Sequence, residues 1–362
     1  MSNARPPTRV LALLSQRSGE SQQILGLAEA LGRHLGWPHR VFRPTWTSGA
    51  PALGLARCVT AQGLSAASRA ALLAEKADLV LTSSLRNEPI ARWFAQSCGN
   101  SCRVIYLGRT WAGSGAFDLT VTTPQYRVKA HPRVMENPGT VHRLSNEVMA
   151  AARERWAPVF ASQPRPRLGV LVGGDSGPFA FRARAASRLA RSARMLAGDG
   201  SILATTSART DPAARAVLAA ALTGPSDWLW EWTADGENPY FGILAWCDAL
   251  LVTGDSIAMV SEAVATGRPV RLFDPGGMHA AARLRDETLA SRAYALLMRL
   301  GPERLSRDLG RVHARLVAEG QAAWDEVPLP EALCADRAPT IHSAYLDATV
   351  ERIRSLVEAA PA

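Results

Sequence analysis

The sequence predicts an α/β protein built from two Rossmann-type domains, each a parallel sheet wrapped by helices. Three observations carry this. The chain has 362 residues, room for two domains at about 150 residues each. From Arg9 onward, short apolar runs alternate with longer amphipathic stretches, the pattern of β-α units. The stretch Gln163-Pro164-Arg165-Pro166-Arg167 divides two such series, because two prolines among polar residues continue neither helix nor strand.

The first strand is the apolar run Val10-Leu11-Ala12-Leu13-Leu14, followed by a polar turn from Ser15 to Glu20. A helix over residues 22–35 follows because Ile24, Leu27, Ala28, Leu31 and Leu35 recur at helical spacing. Gly36-Trp37-Pro38 stops it. A helix near 66–74 leads to a strand at 78–81, and one near 89–96 to a strand at 103–107. The run Leu119-Thr120-Val121 closes this half. The linker is expected between about Val148 and Arg167. Beyond it, strands are expected at 168–172, 201–205, 228–231, 249–252 and 270–273, separated by helices and joined by right-handed crossovers. After a polar, proline-containing stretch from Asp325 to Pro339, a last amphipathic helix carries Ala344, Thr349, Ile353 and Val357. The domains expected are 1–150, 151–335 and a terminal helical segment, 336–362.

The composition, 47% hydrophobic and 20% charged, is that of a chain that folds unaided. No run approaches the roughly 18 apolar residues of a membrane span, and Met1 to Pro7 is polar without a signal core. A cytoplasmic location is expected. Five cysteines lack the paired spacing of a zinc site or disulfide scaffold and read as reduced thiols. The net charge of +9 comes almost entirely from arginine. It suits phosphate, an anionic glycolipid, or peripheral contact with the inner face of the cytoplasmic membrane. It equally suits an arginine-rich proteome. No nucleic-acid-reading motif accompanies it, so nucleic acid is not expected as a partner.

The strongest constellation begins at Asn238, which caps a helix whose first position Pro239 fills. The strand at 249–252 then points its carboxyl end at Thr253 and Gly254, where ligands of open α/β sheets bind. Gly254 permits a tight turn, and Asp255 or Ser256 starts a helix whose free N–H groups can hold a diphosphate. Glu262 lies two turns on along the same face, where its two oxygens could accept both hydroxyls of a ribose. A capped helix with an exposed glutamate is the plainer alternative. Gly173-Gly174-Asp175-Ser176-Gly177 follows the first strand of this half, and its backbone can approach a phosphate closely. Ser207 and Arg209, after the next strand, add a hydroxyl and a guanidinium. They would serve as well in a polar loop.

These residues, with Gly26-Leu27-Ala28-Glu29-Ala30-Leu31, the run from Asp118 to Tyr126, and Glu237-Asn238-Pro239-Tyr240-Phe241 through Gly267-Arg268-Pro269, resemble the mitochondrial-fission, or elongated-mitochondria, protein family. Its bacterial branch resembles GT-B glycosyltransferases. The Gly173-Gly174 turn and Ser261-Glu262-Ala263 are also similar to the enzyme adding N-acetylglucosamine to lipid-linked muramoyl peptide. The resemblance implies a GT-B fold, two Rossmann-type domains facing across a cleft, with the last helix returning to the first. It implies diphosphate contact near Gly254 to Ser256 and Gly173 to Ser176, ribose contact at Glu262, and a nucleotide-sugar co-substrate with no other cofactor.

The opening turn, Ser15 to Gln22, departs from the family's glycine-rich form. Gly19-Glu20 resembles the Gly-Glu pair of Kdo transferases, which makes Glu20 the candidate base and Glu88 the runner-up. A solvated helix-start glutamate is the alternative. Arg17, Arg86 and Arg109 sit at expected strand ends and could bind an anionic acceptor, or lie on the surface. His131 reads as structural. No Asp-x-Asp pair follows a strand, so no metal is expected. The expected function is transfer of a sugar from a nucleotide sugar to a lipid-linked or lipopolysaccharide-core acceptor. The alternative is a non-catalytic GT-B-shaped adaptor that binds partner proteins. An epimerase lacks a paired acid/base and histidine pattern here.

Overall fold

A computed structural model describes residues 7–47, 57–99, 101–177, 179–276, 288–300, 307–330, 339–341 and 343–359. The chain divides into two compact units, residues 1–143 with 343–362, and residues 144–342. The expected boundary between 335 and 336 lies outside the described residues.

In the first unit β1 (Val10–Leu13), α1 (Ser18–Leu35) and β2 (His39–Phe42) are followed by α2 (Ala66–Ala74), β3 (Leu79–Ser83), α3 (Asn87–Ser97), β4 (Arg103–Leu107), β5 (Leu119–Thr122) and β6 (Val134–Glu136). The sheet is parallel throughout, in the order β2-β1-β3-β4-β5-β6. Alternate residues face opposite sides. Val10, Ala12, Leu79, Leu81, Ile105 and Leu107 pack under Ile24, Leu27 and Leu31 of α1. Leu11, Leu13, Val80, Val104 and Tyr106 pack under Leu72, Ile90 and Phe94 of α2 and α3. Burial on both faces is why these strands read as unbroken apolar runs. The sheet does not close at β5: β6 adds a sixth strand, short and only partly buried, that the apolar pattern does not announce.

The second unit opens with α4 (Asn146–Phe160), a helix over much of the expected linker. Ser145 caps it by accepting the Val148 N–H at 3.2 Å, and Met149 and Phe160 join the core of this unit. Then follow β7 (Arg167–Leu171), α5 (Ala183–Ala197), β8 (Ser201–Thr205), α6 (Pro212–Ala221), β9 (Asp227–Trp230), α7 (Tyr240–Trp246), β10 (Ala249–Thr253), α8 (Ile257–Ala265), β11 (Val270–Phe273), α9 (Leu289–Leu300), α10 (Leu309–Ala318) and β12 (Ala323–Trp324). This sheet is also parallel, in the order β12-β11-β10-β7-β8-β9. That is the 3-2-1-4-5-6 order of dinucleotide-binding sheets, counted within the unit.

The last helix, α11 (Ala344–Glu358), belongs to the first unit. Leu346, Val350 and Ile353 enter the cluster of Ile24, Leu27 and Leu31. Thr349 accepts a hydrogen bond from Asn137 at 2.9 Å. Each unit is a parallel six-stranded sheet with helices on its faces, the Rossmann-type arrangement the sequence predicts.

Candidate functional site

The second sheet changes direction between β7 and β10, its first and fourth strands. Chains leave the carboxyl ends of two such neighbours in opposite directions, which opens a crevice. Gly173-Gly174 leaves β7 and Thr253-Gly254-Asp255 leaves β10 at this point. The two turns are bonded together. The Gly173 N–H donates to Thr253 Oγ1 at 2.8 Å and the Gly174 N–H to Asp255 Oδ2 at 3.0 Å.

This geometry corrects one expectation. The Cβ-free faces of the two glycines admit the protein's own atoms: a Cβ on Gly173 would run into the Asp255 carboxylate, and one on Gly174 into the Arg209 carbonyl. Both N–H groups are spent inside the fold.

Arg209 flanks the turn. Its Nη1 donates to the Asp175 carbonyl at 2.9 Å, its Nη2 to Asp255 Oδ2 at 3.2 Å, and its side chain is 45% exposed. The Asp255 side chain is 0% exposed. Burial pushes its carboxyl above the usual range, against Arg209, the Gly174 N–H and the Thr253 hydroxyl, which favour the charged form. Ser207 donates to the Gly173 carbonyl at 2.9 Å, as Thr210 does at 2.5 Å, so both hydroxyls hold the turn. Asp175 pairs with Arg182 at 2.9 and 2.5 Å, and Ser176 accepts from Arg307 at 3.0 Å. Gly254 N–H donates to the Phe273 carbonyl, and Ser256 stands at the N-cap of α8 without a side-chain capping bond.

Asn238 and Glu262 form a second group, built on Tyr240. Asn238 Oδ1 accepts the Tyr240 N–H at 3.0 Å, and the Tyr240 hydroxyl donates to Glu262 at 2.5 Å. Burial, with Glu262 beside it, raises the Tyr240 hydroxyl well above its ordinary range. The capping residue of α7 is Pro239 rather than Asn238. Glu262 lies on α8, about 8 Å along the axis from its first residue, Ile257.

In the first unit, Arg17, Arg86 and Arg109 follow the carboxyl ends of β1, β3 and β4. Arg17 is exposed and lies 3.5 Å from Glu20. Arg86 donates to Gln16 at 3.3 Å and lies over the Trp46 ring, while Arg109 lies over Trp111 and Tyr126. Glu20, in the first turn of α1, is 26% exposed and accepts from Ser15 Oγ at 2.5 Å. Glu88 is fully buried. It accepts the Trp111 N–H at 2.8 Å, the Ala112 N–H at 2.9 Å and the Thr110 hydroxyl at 3.0 Å. Desolvation raises its carboxyl and these bonds oppose the rise. A carboxylate so enclosed anchors the loop after β4. His131 accepts the Arg133 N–H at 3.1 Å.

Sequence reasoning passed over Arg182, Arg307, Thr210 and the hydroxyl of Tyr240 as site residues. Tyr240 stood inside a run already singled out, and Thr210 directly follows Arg209. Arg182, seven residues after Asp175 at the start of α5, was legible as its counter-ion once the turn was suspected. Arg307 carries no local signal.

A sequence model of the family described as Mitochondrial fission ELM1 matches residues 18–332. The mitochondrial fission protein ELM1 of Arabidopsis thaliana is 33% identical over 149 residues, which are 41% of this chain and 34% of that protein. The match thus spans about a third of the curated relative's length. Among solved structures, a glycosyltransferase from Rickettsia africae superposes with a TM-score of 0.49 at 9% identity, covering 98% of this chain and 100% of that one. A UDP co-structure of S. aureus MnaA gives 0.45 at 13%, covering 86% and 95%. ADP-heptose LPS heptosyltransferase II of E. coli gives 0.44 at 14%, covering 86% and 99%. The chain belongs to the mitochondrial fission ELM1 family.

Proposed function

We propose that the protein binds a nucleotide sugar on its second domain and transfers the sugar to a lipid-linked or lipopolysaccharide-core acceptor. One observation carries the reading: at the switch point between β7 and β10, a half-exposed guanidinium, Arg209, is tethered beside the uncapped start of α8. Both features favour an anion. Glu262, oriented by Tyr240, is the carboxylate for the ribose hydroxyls.

In the transfer, an acceptor hydroxyl oxygen bonds to the anomeric carbon as the bond from that carbon to the diphosphate oxygen breaks. The electron pair leaves with the diphosphate, where Arg209 and the α8 dipole meet the charge. Glu20 takes the hydroxyl proton. Ser15, hydrogen-bonded to Glu20, and Arg17 nearby orient its carboxylate. Arg17, Arg86 and Arg109 attract an acidic acceptor.

The test is a thermal-shift panel of nucleotide sugars. The expected outcome is stabilisation by at least one of them, lost in Glu262→Ala, with transfer lost in Glu20→Gln while binding stays. Absence of any nucleotide response from the folded protein overturns the reading.

A second reading, a GT-B-shaped adaptor, draws on the way Asp255 and the Arg209 backbone already fill the glycine turn. Protein capture that is indifferent to every nucleotide would decide for it.

A further inference from the structure

We propose that Asp255 is a positioning residue: its buried carboxylate fixes Arg209, and Arg209 is the group that grips a phosphoryl oxygen of the ligand. This rests on the nucleotide-sugar reading and assigns the two residues unequal parts in it.

With no accessible side-chain surface, Asp255 cannot touch a ligand. Its Oδ2 receives both the Gly174 N–H and Arg209 Nη2, so one oxygen joins the β7 turn, the β10 turn and the loop after β8. Oδ1 is buried and has no hydrogen-bond partner of normal geometry among the described residues. An ionised carboxylate left in that state is costly unless a cation balances it. Arg209 is the cation in contact with it.

Arginine presents five N–H donors in a rigid fork. Here one donor of Nη1 is held by the Asp175 carbonyl and one of Nη2 by Asp255. The tethers come from two different loops and fix the plane of the guanidinium, whose side chain still keeps 45% of its surface open. A planar, pre-oriented fork beside a helix start matches the oxygens of a phosphoryl group. The chemical class of the ligand is therefore a phosphate or diphosphate ester.

The experiment is isothermal titration of the full chain with inorganic pyrophosphate and with UDP. Arg209→Ala should weaken both by about tenfold or more, the size of a lost charge-assisted hydrogen bond. Arg209→Lys should recover only part, because a point charge lacks the fork. Asp255→Asn should also weaken both, yet add nothing further in the Arg209→Ala background. Free guanidinium ion should restore binding to Arg209→Ala and fail to restore it to the double variant.

Because Asp255→Asn could unfold the turn, the guanidinium rescue of the half-exposed Arg209 site serves as the second measurement. Binding of the probes by wild-type protein that is unchanged in Arg209→Ala overturns this proposal alone. So does an Asp255→Asn loss that persists undiminished without Arg209. Wild-type protein that binds neither probe overturns the nucleotide-sugar reading with it.

Discussion

Single residues in this fold are held by what their neighbours leave no room for. Gly174 has an ordinary backbone conformation, yet a Cβ there meets the Arg209 carbonyl, which is backbone and cannot swing away. Gly174→Ala should therefore destabilise by about 1–3 kcal/mol, as overpacking does. Gly19, near the start of α1, has nothing within 4 Å of the same added atom. Gly19→Ala should stabilise by up to about 1 kcal/mol through helix propensity. Urea midpoints of the two variants check the contrast. At Tyr240 the hydroxyl is the working part. Tyr240→Phe leaves Glu262 without its 2.5 Å donor and should cost about 1–2 kcal/mol in the same measurement. Nucleotide affinity should fall less than in Glu262→Ala, since the carboxylate remains.

Elements differ in how far their sequences announce them. Strands buried on both faces, such as β3, β7 and β10, are built around apolar runs. Of the four edge strands, β2, β6 and β12 are short and partly exposed, so their composition carries no run to read, whereas β9 is legible from Trp228, Leu229 and Trp230. Helix α4 was hidden by its own neighbourhood. The prolines at 164 and 166 mark a true break, but the helix before them packs through Met149, Ala152, Trp156 and Phe160, which are at helical spacing with polar and charged residues between them. The Gly254-Asp255-Ser256 turn was legible because its residues are consecutive. Burial of Asp255 against Gly173 was not, because it depends on β7 and β10 being neighbours across some eighty residues of chain. Helix α11 shows what an element contributes by covering. Ending the chain before Ser343 would remove Leu346, Val350 and Ile353 and uncover their partners Ile24, Leu27 and Leu31. Each large apolar side chain contributes about 1.5–3 kcal/mol. Such a truncation should bind a hydrophobic dye and lose cooperative unfolding of the first unit in a thermal scan, while the second unit still melts.

For the whole molecule, acid should act through two buried histidines, one in each unit. His142 lies edge-on to Tyr345, and neither of its ring nitrogens has a hydrogen-bond partner among the described residues. Burial, with Arg33 adding to it, lowers its pKa to about 4. His313 on α10 is fully buried beside Trp324, and burial lowers it to about 4 as well, against Asp274, the Gly254 backbone and Asp308, which favour its charged form. In the unfolded chain both take a proton near pH 6.5. Between that pH and about 4 the unfolded state binds more protons than the native one, so stability falls as the pH falls, by up to about 3 kcal/mol for each histidine. The contribution is fully present above about pH 6.5. Buried Glu88 and Asp255 work the other way, since their raised carboxyls favour the native state as acid is added. The net profile therefore mixes opposed signs, and substitution separates them. His142→Leu together with His313→Leu should remove the histidine part. Urea midpoints followed by circular dichroism from about pH 7 to about pH 4 should then decline less steeply than in the wild type, or rise. Parallel profiles for the two proteins would mean that neither histidine stays neutral in the folded state.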